Sequence, residues 1–318
     1  MDTTCPICSL NTDRISEYRY NINEDIKYLK VLNIHYCQKC DFSFASPMPS
    51  EKNLDNYYNN IYRSKGRPHF INLKKFHKTL YSLRNLSYLE YIDTFLNLNE
   101  TENILDFGAG TGDLGLLLKK INPNIKLYCI ENDKKTISIL KNRGYQNLKS
   151  LDNHSIKFDL IISLHCFEHL NSLKIFEKFK LIGKNRCKIF FEVPNCPFND
   201  GFLDRPYDSP HLLFFTKQSL LKITKYFKLK IINLSFKDID YNVDFLEMKS
   251  SKELYENWNE KSKRNLSVKE FILSLTPKII RNMYDAVIFS KNLKIQTTLR
   301  YKTFELSERS CIRGILEI

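Results

Sequence analysis

Through the middle of the chain, short apolar runs alternate with amphipathic stretches. Runs at 103–107, 125–130, 145–150, 158–163, 187–193 and 228–236 have the length of buried strands. Between them, at 112–121, 134–143, 172–183 and 216–226, apolar residues recur every three or four positions, the period of a helix with one buried face. This alternation predicts an α/β fold with a parallel, doubly wound sheet over 99–236. Ahead of it, Leu80, Leu83, Leu86, Leu89, Ile92 and Leu96 keep the helical spacing, so 51–98 reads as mostly helical. Isoleucine and tyrosine recur between 18 and 36, the pattern of hairpin strands, and the Ser46-Pro47-Met48-Pro49 cluster breaks the chain after them. From 237 to 308 the pattern is irregular. Ser267 and Glu270 form a capping box and Thr276-Pro277 restarts a helix, which predicts a helical cover before a last strand at 310–318. Four parts follow: 1–50, 51–98, 99–236 and 237–318.

The first core strand ends Ile104-Leu105-Asp106-Phe107, and Gly108, Gly110 and Gly112 then fall at every second position before Leu114, Leu116 and Leu117 begin a helix. Glycine lets backbone approach a ligand closely, and a helix N-terminus offers unpaired N–H groups. The turn therefore predicts a nucleotide-like ligand. A dinucleotide turn is disfavoured, because Asp113 stands where its third glycine would be, and a phosphate-binding Gly-Lys-Ser/Thr ending is absent. Glu131 ends the next strand, where an acid can hold a ribose diol, with Asn132 beside it. Asp133 reads as the cap of the following helix.

Composition sharpens the picture at the N-terminus. Of nine cysteines, four are organised as Cys5-x-x-Cys8 and Cys37-x-x-Cys40, with residues 9–36 between the pairs. Four thiolates in a tetrahedron suit a structural zinc ion. Cys129, Cys166, Cys187, Cys196 and Cys311 sit in apolar contexts and read as core residues. No apolar run approaches a membrane span and no signal-peptide pattern opens the chain, so a soluble cytoplasmic protein is expected. The net charge of +13 is spread along the sequence without a block of like charge, and it adds little about partners.

The fourth core strand delivers His165-Cys166-Phe167-Glu168-His169 to its C-terminal end, where open α/β sheets bind their ligands. An imidazole, with an ordinary pKa of about 6.5, is a suitable proton acceptor at neutral pH. His169 is the first candidate base, with Glu168 orienting it, and His165 is the second and a candidate pocket residue. A purely structural Glu–His pair is the alternative. After the fifth strand, Arg205, Tyr207 and His211 are candidate substrate contacts, or a proline-stiffened connector. Asp152 is a candidate ligand contact after the third strand, or a surface acid.

Asp106-x-Gly108-x-Gly110-x-Gly112, Phe158-Asp159, His165-x-x-Glu168-His169-Leu170, His211-Leu-x-Phe-Phe-Thr216 and the two cysteine pairs together resemble class I S-adenosylmethionine (SAM) methyltransferases with an N-terminal zinc-binding module. The resemblance covers roughly 5–236 and the final strand. It implies a seven-stranded Rossmann-like sheet with an antiparallel last strand. It also implies SAM held by Asp106, Gly108, Ala109, Gly110, Gly112, Glu131, Asn132, Asp152 and His165, and zinc on Cys5, Cys8, Cys37 and Cys40. The layout looks like enzymes of surface-polysaccharide and deoxysugar pathways, so a sugar or nucleotide sugar is the implied acceptor. A C-terminal part shorter than in the sugar C-methyltransferases favours oxygen over carbon. An RNA methyltransferase and a non-catalytic SAM-binding protein are the alternatives; nucleic acid is disfavoured because only residues 57–70 hint at the aromatic, arginine-rich stripe it would need.

Overall fold

The computed structural model describes residues 3–19, 29, 31–63, 83–152, 155–198, 210–238 and 310–318. Arg205 and Tyr207 lie outside the described residues, as does the helical cover expected at 237–308 apart from Lys237 and Asp238, which end a strand.

Three antiparallel strands come first: β1 (Asp13–Arg19), β2 (Val31–Cys37) and β3 (Phe42–Ser46). Helices α1 (Glu51–Asn60) and α2 (Leu83–Phe95) follow. The alternating core then runs β4 (Asn103–Phe107), α3 (Asp113–Ile121), β5 (Lys126–Ile130), α4 (Lys134–Asn142), β6 (Tyr145–Asn147), β7 (Phe158–Leu164), α5 (Ile175–Ile182) and β8 (Gly183–Pro194). It continues through β9 (Leu213–Phe214), α6 (Lys217–Tyr226) and β10 (Lys230–Asp238), and closes with β11 (Ser310–Glu317).

The main sheet has seven strands in the order β10-β11-β8-β7-β4-β5-β6. Strands β4 to β8 pair in parallel, while β11 runs antiparallel to both β8 and β10. This is the expected seven-stranded, Rossmann-like sheet with an antiparallel last strand. Its parallel strands are apolar on both faces, because helices cover both. Neighbouring residues divide between the faces: Leu105, Ile161, Ile189 and Phe191 pack with Phe176, Phe179 and Ile223, whereas Ile104, Leu160, Ile162 and Phe190 pack with Ile92, Leu114, Leu118 and Leu140. Helices α4 and α6 start where the sequence places caps: Asp133 accepts from Thr136 N, and Thr216 and Ser219 form a reciprocal capping box.

Three boundaries differ from the sequence expectation. Strand β6 is three residues rather than six, since the Asn147 side chain turns back to accept from Glu131 N at 3.2 Å. Strand β8 begins at Gly183, and α5 begins at Ile175 after Leu173 has entered the core. The small N-terminal sheet also gains an unforeseen member, with the order β1-β2-β3-β9. Strand β9 belongs to the core segment that leads into α6, and Thr216 Oγ1 donates to Asp41 O at 2.8 Å. The N-terminal strands are thus joined to the core by hydrogen bonds as well as by apolar packing. No helix among the described residues is long and apolar enough to cross a membrane.

Candidate active site

The glycine turn between β4 and α3 opens onto a cleft of about 300 Å³ at the C-terminal ends of the parallel strands. Its lining includes Asp106 and the glycine turn from Gly108 to Thr111, with Arg63, Arg84, Tyr88 and His165. Gly108 and Gly112 both have positive φ, 74° and 69°. A Cβ on Gly108 would stand 2.6 Å from Cys166 Sγ, so glycine is demanded by conformation and by space together. Tyr145 buttresses the turn from beneath, its hydroxyl donating to Gly112 O at 2.9 Å and lying 3.3 Å from Asp106 Oδ2.

Asp106 is buried, and burial pushes its pKa up to about 7, with Glu131 and Asp113 adding to the rise and the Tyr145 hydroxyl opposing it. Glu131 is raised in the same direction, again mainly by burial. Its carboxylate bridges the two loops of the site, accepting from Gly110 N at 3.0 Å, Asn132 N at 3.0 Å and Asp133 N at 3.1 Å. Glu131 thus ties the glycine turn to the loop that follows β5. Asp152 is further off, paired at the surface with Lys178 at 2.9 Å.

His165 follows β7 directly with φ 48°, in the left-handed region that non-glycine residues adopt uncommonly. Its Nε2 lies 3.1 Å from Glu192 Oε1 and its Nδ1 3.5 Å from Glu168 Oε1, and Arg84 packs against the same ring. Burial and Arg84 oppose a charge on this imidazole, but Cys311 and Glu168 outweigh them and raise its pKa well above the ordinary range. Glu192 is the centre of the network: Arg313 pairs with it at 2.7 Å, and the Tyr88 hydroxyl donates to it at 2.5 Å. Burial would raise Glu192, but Arg313 and His165 prevail and hold its carboxyl well below the usual range.

Beyond His165 lies a second cluster. Glu168, His169 and His211 place one ligand-type atom each within 4.8 Å of one another. The expected orienting contact from Glu168 to His169 is replaced by another: His169 Nδ1 lies 2.7 Å from Pro210 O. A carbonyl can only accept, so Nδ1 carries the hydrogen, and in the neutral ring the lone pair sits on Nε2. The Tyr58 ring stands edge-on to His169, centroids 6.1 Å apart.

In the N-terminal part, Cys5, Cys8, Cys37 and Cys40 bring their sulfurs within 4.8 Å of one another, and Cys8 and Cys37 are 3.6 Å apart. Burial pushes the Cys5 thiol up to about 12; a divalent cation reverses that cost by binding the thiolates. Cys129, Cys187, Cys196 and Cys311 are buried as expected, and Cys166 is not. Cys166 is half-buried against the glycine turn, and Cys311 is buried beside His165 and Glu192.

Arg84, Tyr88 and Arg313 are the site residues that sequence reasoning missed. Arg313 left one trace, a lone cation in the otherwise apolar Cys311-Ile312-Arg313-Gly314-Ile315 run.

Residues 81–234 match the family model of a methyltransferase domain. Among solved structures, the chain is similar to coclaurine N-methyltransferase bound to N-methylheliamine and SAH, at 12% identity over 85% of this chain and 82% of that one, with a TM-score of 0.47. It is similar to the plantazolicin methyltransferase BpumL in complex with SAH, at 15% identity over 77% and 86%, with a TM-score of 0.44. A third similarity is to the O-methyltransferase of a trans-AT PKS multienzyme of Brevibacillus brevis, at 14% identity over 74% and 70%, with a TM-score of 0.39. No curated protein sequence matches the chain.

Proposed function

We propose that this SAM-dependent methyltransferase transfers its methyl group to a hydroxyl oxygen of a sugar or nucleotide sugar. One observation carries the reading: the glycine-turn cleft and the Glu168–His169–His211 cluster lie on either side of His165, so cofactor and acceptor chemistry are adjacent. In this reading Asp106 and the glycine turn from Gly108 to Gly112, with Ala109, take the amino-acid end of SAM. Glu131 and Asn132 take the ribose, and His165 closes the pocket. The reaction is an in-line displacement. The acceptor oxygen forms a bond to the methyl carbon, the carbon–sulfur bond breaks, and S-adenosylhomocysteine leaves. The hydroxyl proton passes to the cluster, most simply to His169 Nε2, whose tautomer Pro210 O fixes. Tyr58 and Tyr62 give the acceptor side aromatic faces, which suit the C–H face of a sugar ring. Arg205, Tyr207 and His211 are assigned to the same acceptor. The four cysteines hold a structural zinc ion that ties the N-terminal strands together.

The test is calorimetry followed by turnover. Wild-type protein binds SAM at micromolar affinity, and Gly110→Arg does not. His169→Ala keeps SAM binding but releases no S-adenosylhomocysteine when offered a panel of nucleotide sugars. Absence of SAM binding by the wild type refutes the cofactor assignment. Turnover only with non-sugar acceptors refutes the substrate assignment.

A further inference from the structure

We infer that Glu168, His169 and His211 form a binding site for a divalent transition-metal cation, distinct from the four cysteines, on the acceptor side of the cleft. Glu168 is 1% exposed, and neither of its carboxylate oxygens receives a hydrogen bond from the described residues. The His165 Nδ1 at 3.5 Å stands at ion-pair rather than hydrogen-bond distance. With neither oxygen hydrogen-bonded, the buried carboxylate keeps lone pairs that can take a further cation beside the His165 imidazole.

The two histidines supply what such a cation needs. Pro210 O accepts from His169 Nδ1 at 2.7 Å, which aims the lone pair of Nε2 at a ligand. A backbone carbonyl behind the far ring nitrogen is how metal-ligating imidazoles are held in register. His211 is nearly buried and its ring lies edge-on to that of His169, centroids 4.8 Å apart. The backbone fixes the spacing of the three, since Leu212 N donates to Glu168 O at 2.6 Å. Two ligands about 2.1 Å from one ion stand no more than about 4.2 Å apart, so the 4.8 Å cluster closes by small side-chain rotations.

Two imidazoles and one carboxylate favour zinc, cobalt or iron over calcium or magnesium, and they leave coordination positions open. The open positions fit the oxygens of a vicinal diol. This role rests on the methyl-transfer reading above. A hydroxyl bound to the cation has a lowered pKa. Its proton passes to water, the oxygen takes the sulfonium methyl, and the thioether leaves. With the cation bound, this route replaces the proton transfer to His169 Nε2 described above, because that lone pair is then engaged by the metal; without the cation His169 remains the proton acceptor.

Co²⁺ titrated into zinc-loaded full-length protein tests the site without any methyl transfer. One equivalent binds, with visible d–d absorption, no thiolate charge-transfer band and a raised Tm. Glu168→Gln and His211→Asn lose the absorption and the shift. If a variant does not fold, the wild-type titration decides. No cobalt beyond the cysteine site, or thiolate bands alone, overturns the proposal and leaves the SAM-binding results untouched.

Discussion

Asp106 shows how one buried carboxyl links stability to ligand binding. Its folded pKa, raised from 3.8 to about 7, lies above its unfolded value. The protonated form is thus the one that folding favours: its contribution is complete below about pH 4 and is lost as the pH rises through about 7. In the ligand-free protein, Asp106→Asn therefore raises Tm at pH 7.5 to 8, and the gain vanishes toward pH 4. Melting curves across that range check it, and a pH-independent difference argues against it. The SAM ammonium favours the carboxylate, so binding releases a proton near neutrality. SAM affinity rises with pH up to about 7 and then levels off. Calorimetry in two buffers of different ionisation heat measures the proton; equal enthalpies in both would falsify the linkage. The acid and its glycines were legible because the turn is local in sequence. Cys166 against Gly108 was not, since that contact joins two different loops.

At the scale of elements, β11 is held by more than its ladder. Arg313 and Glu192 are both fully buried, and the guanidinium also donates to Ser87 Oγ at 2.7 Å and lies over the Tyr88 ring at 4.5 Å. Strands β8 and β11 and helix α2 thus meet on one ion pair. Arg313→Met removes the fully buried partner of Glu192, leaving it the Arg84, His165 and Tyr88 contacts, and costs roughly 3 kcal/mol, the low end for breaking a buried ion pair. Glu192→Gln in the same chain recovers part of it, and denaturant titration of the single and double variants reads the coupling. Glu192 is held below its ordinary 4.5, so its stabilisation is present above that pH and is lost as the solution becomes more acid. Acid unfolding of Arg313→Met begins at a higher pH than that of the wild type.

For the whole molecule, the question is whether the cysteine module melts alone. Cys5, Cys37 and Cys40 share one apolar core with Phe176 and Ile223, and β3 pairs with β9 from the other side of the chain. Removing zinc should therefore lower Tm for the entire fold in one cooperative transition. Elemental analysis gives one zinc on the cysteines of each chain, and scanning calorimetry after chelation gives a single, lower peak. Two separated peaks, or an unchanged Tm, speak against a metal that supports the core.

The sequence by itself determined the elements and the cofactor turn. Strand and helix periods, caps such as Asp133 and Thr216, and Gly108 to Gly112 are written in neighbouring residues, and the forces that set them act over a few positions. Only the tertiary structure decided which distant groups meet. Arg313 reaches Glu192, 121 positions away, because β11 inserts beside β8. His211 reaches Glu168 because β9 leaves the core to extend the N-terminal sheet. Burial, and with it the protonation of Asp106, His165 and Glu192, follows from those meetings, since desolvation and charge pairing depend on what surrounds a group in space.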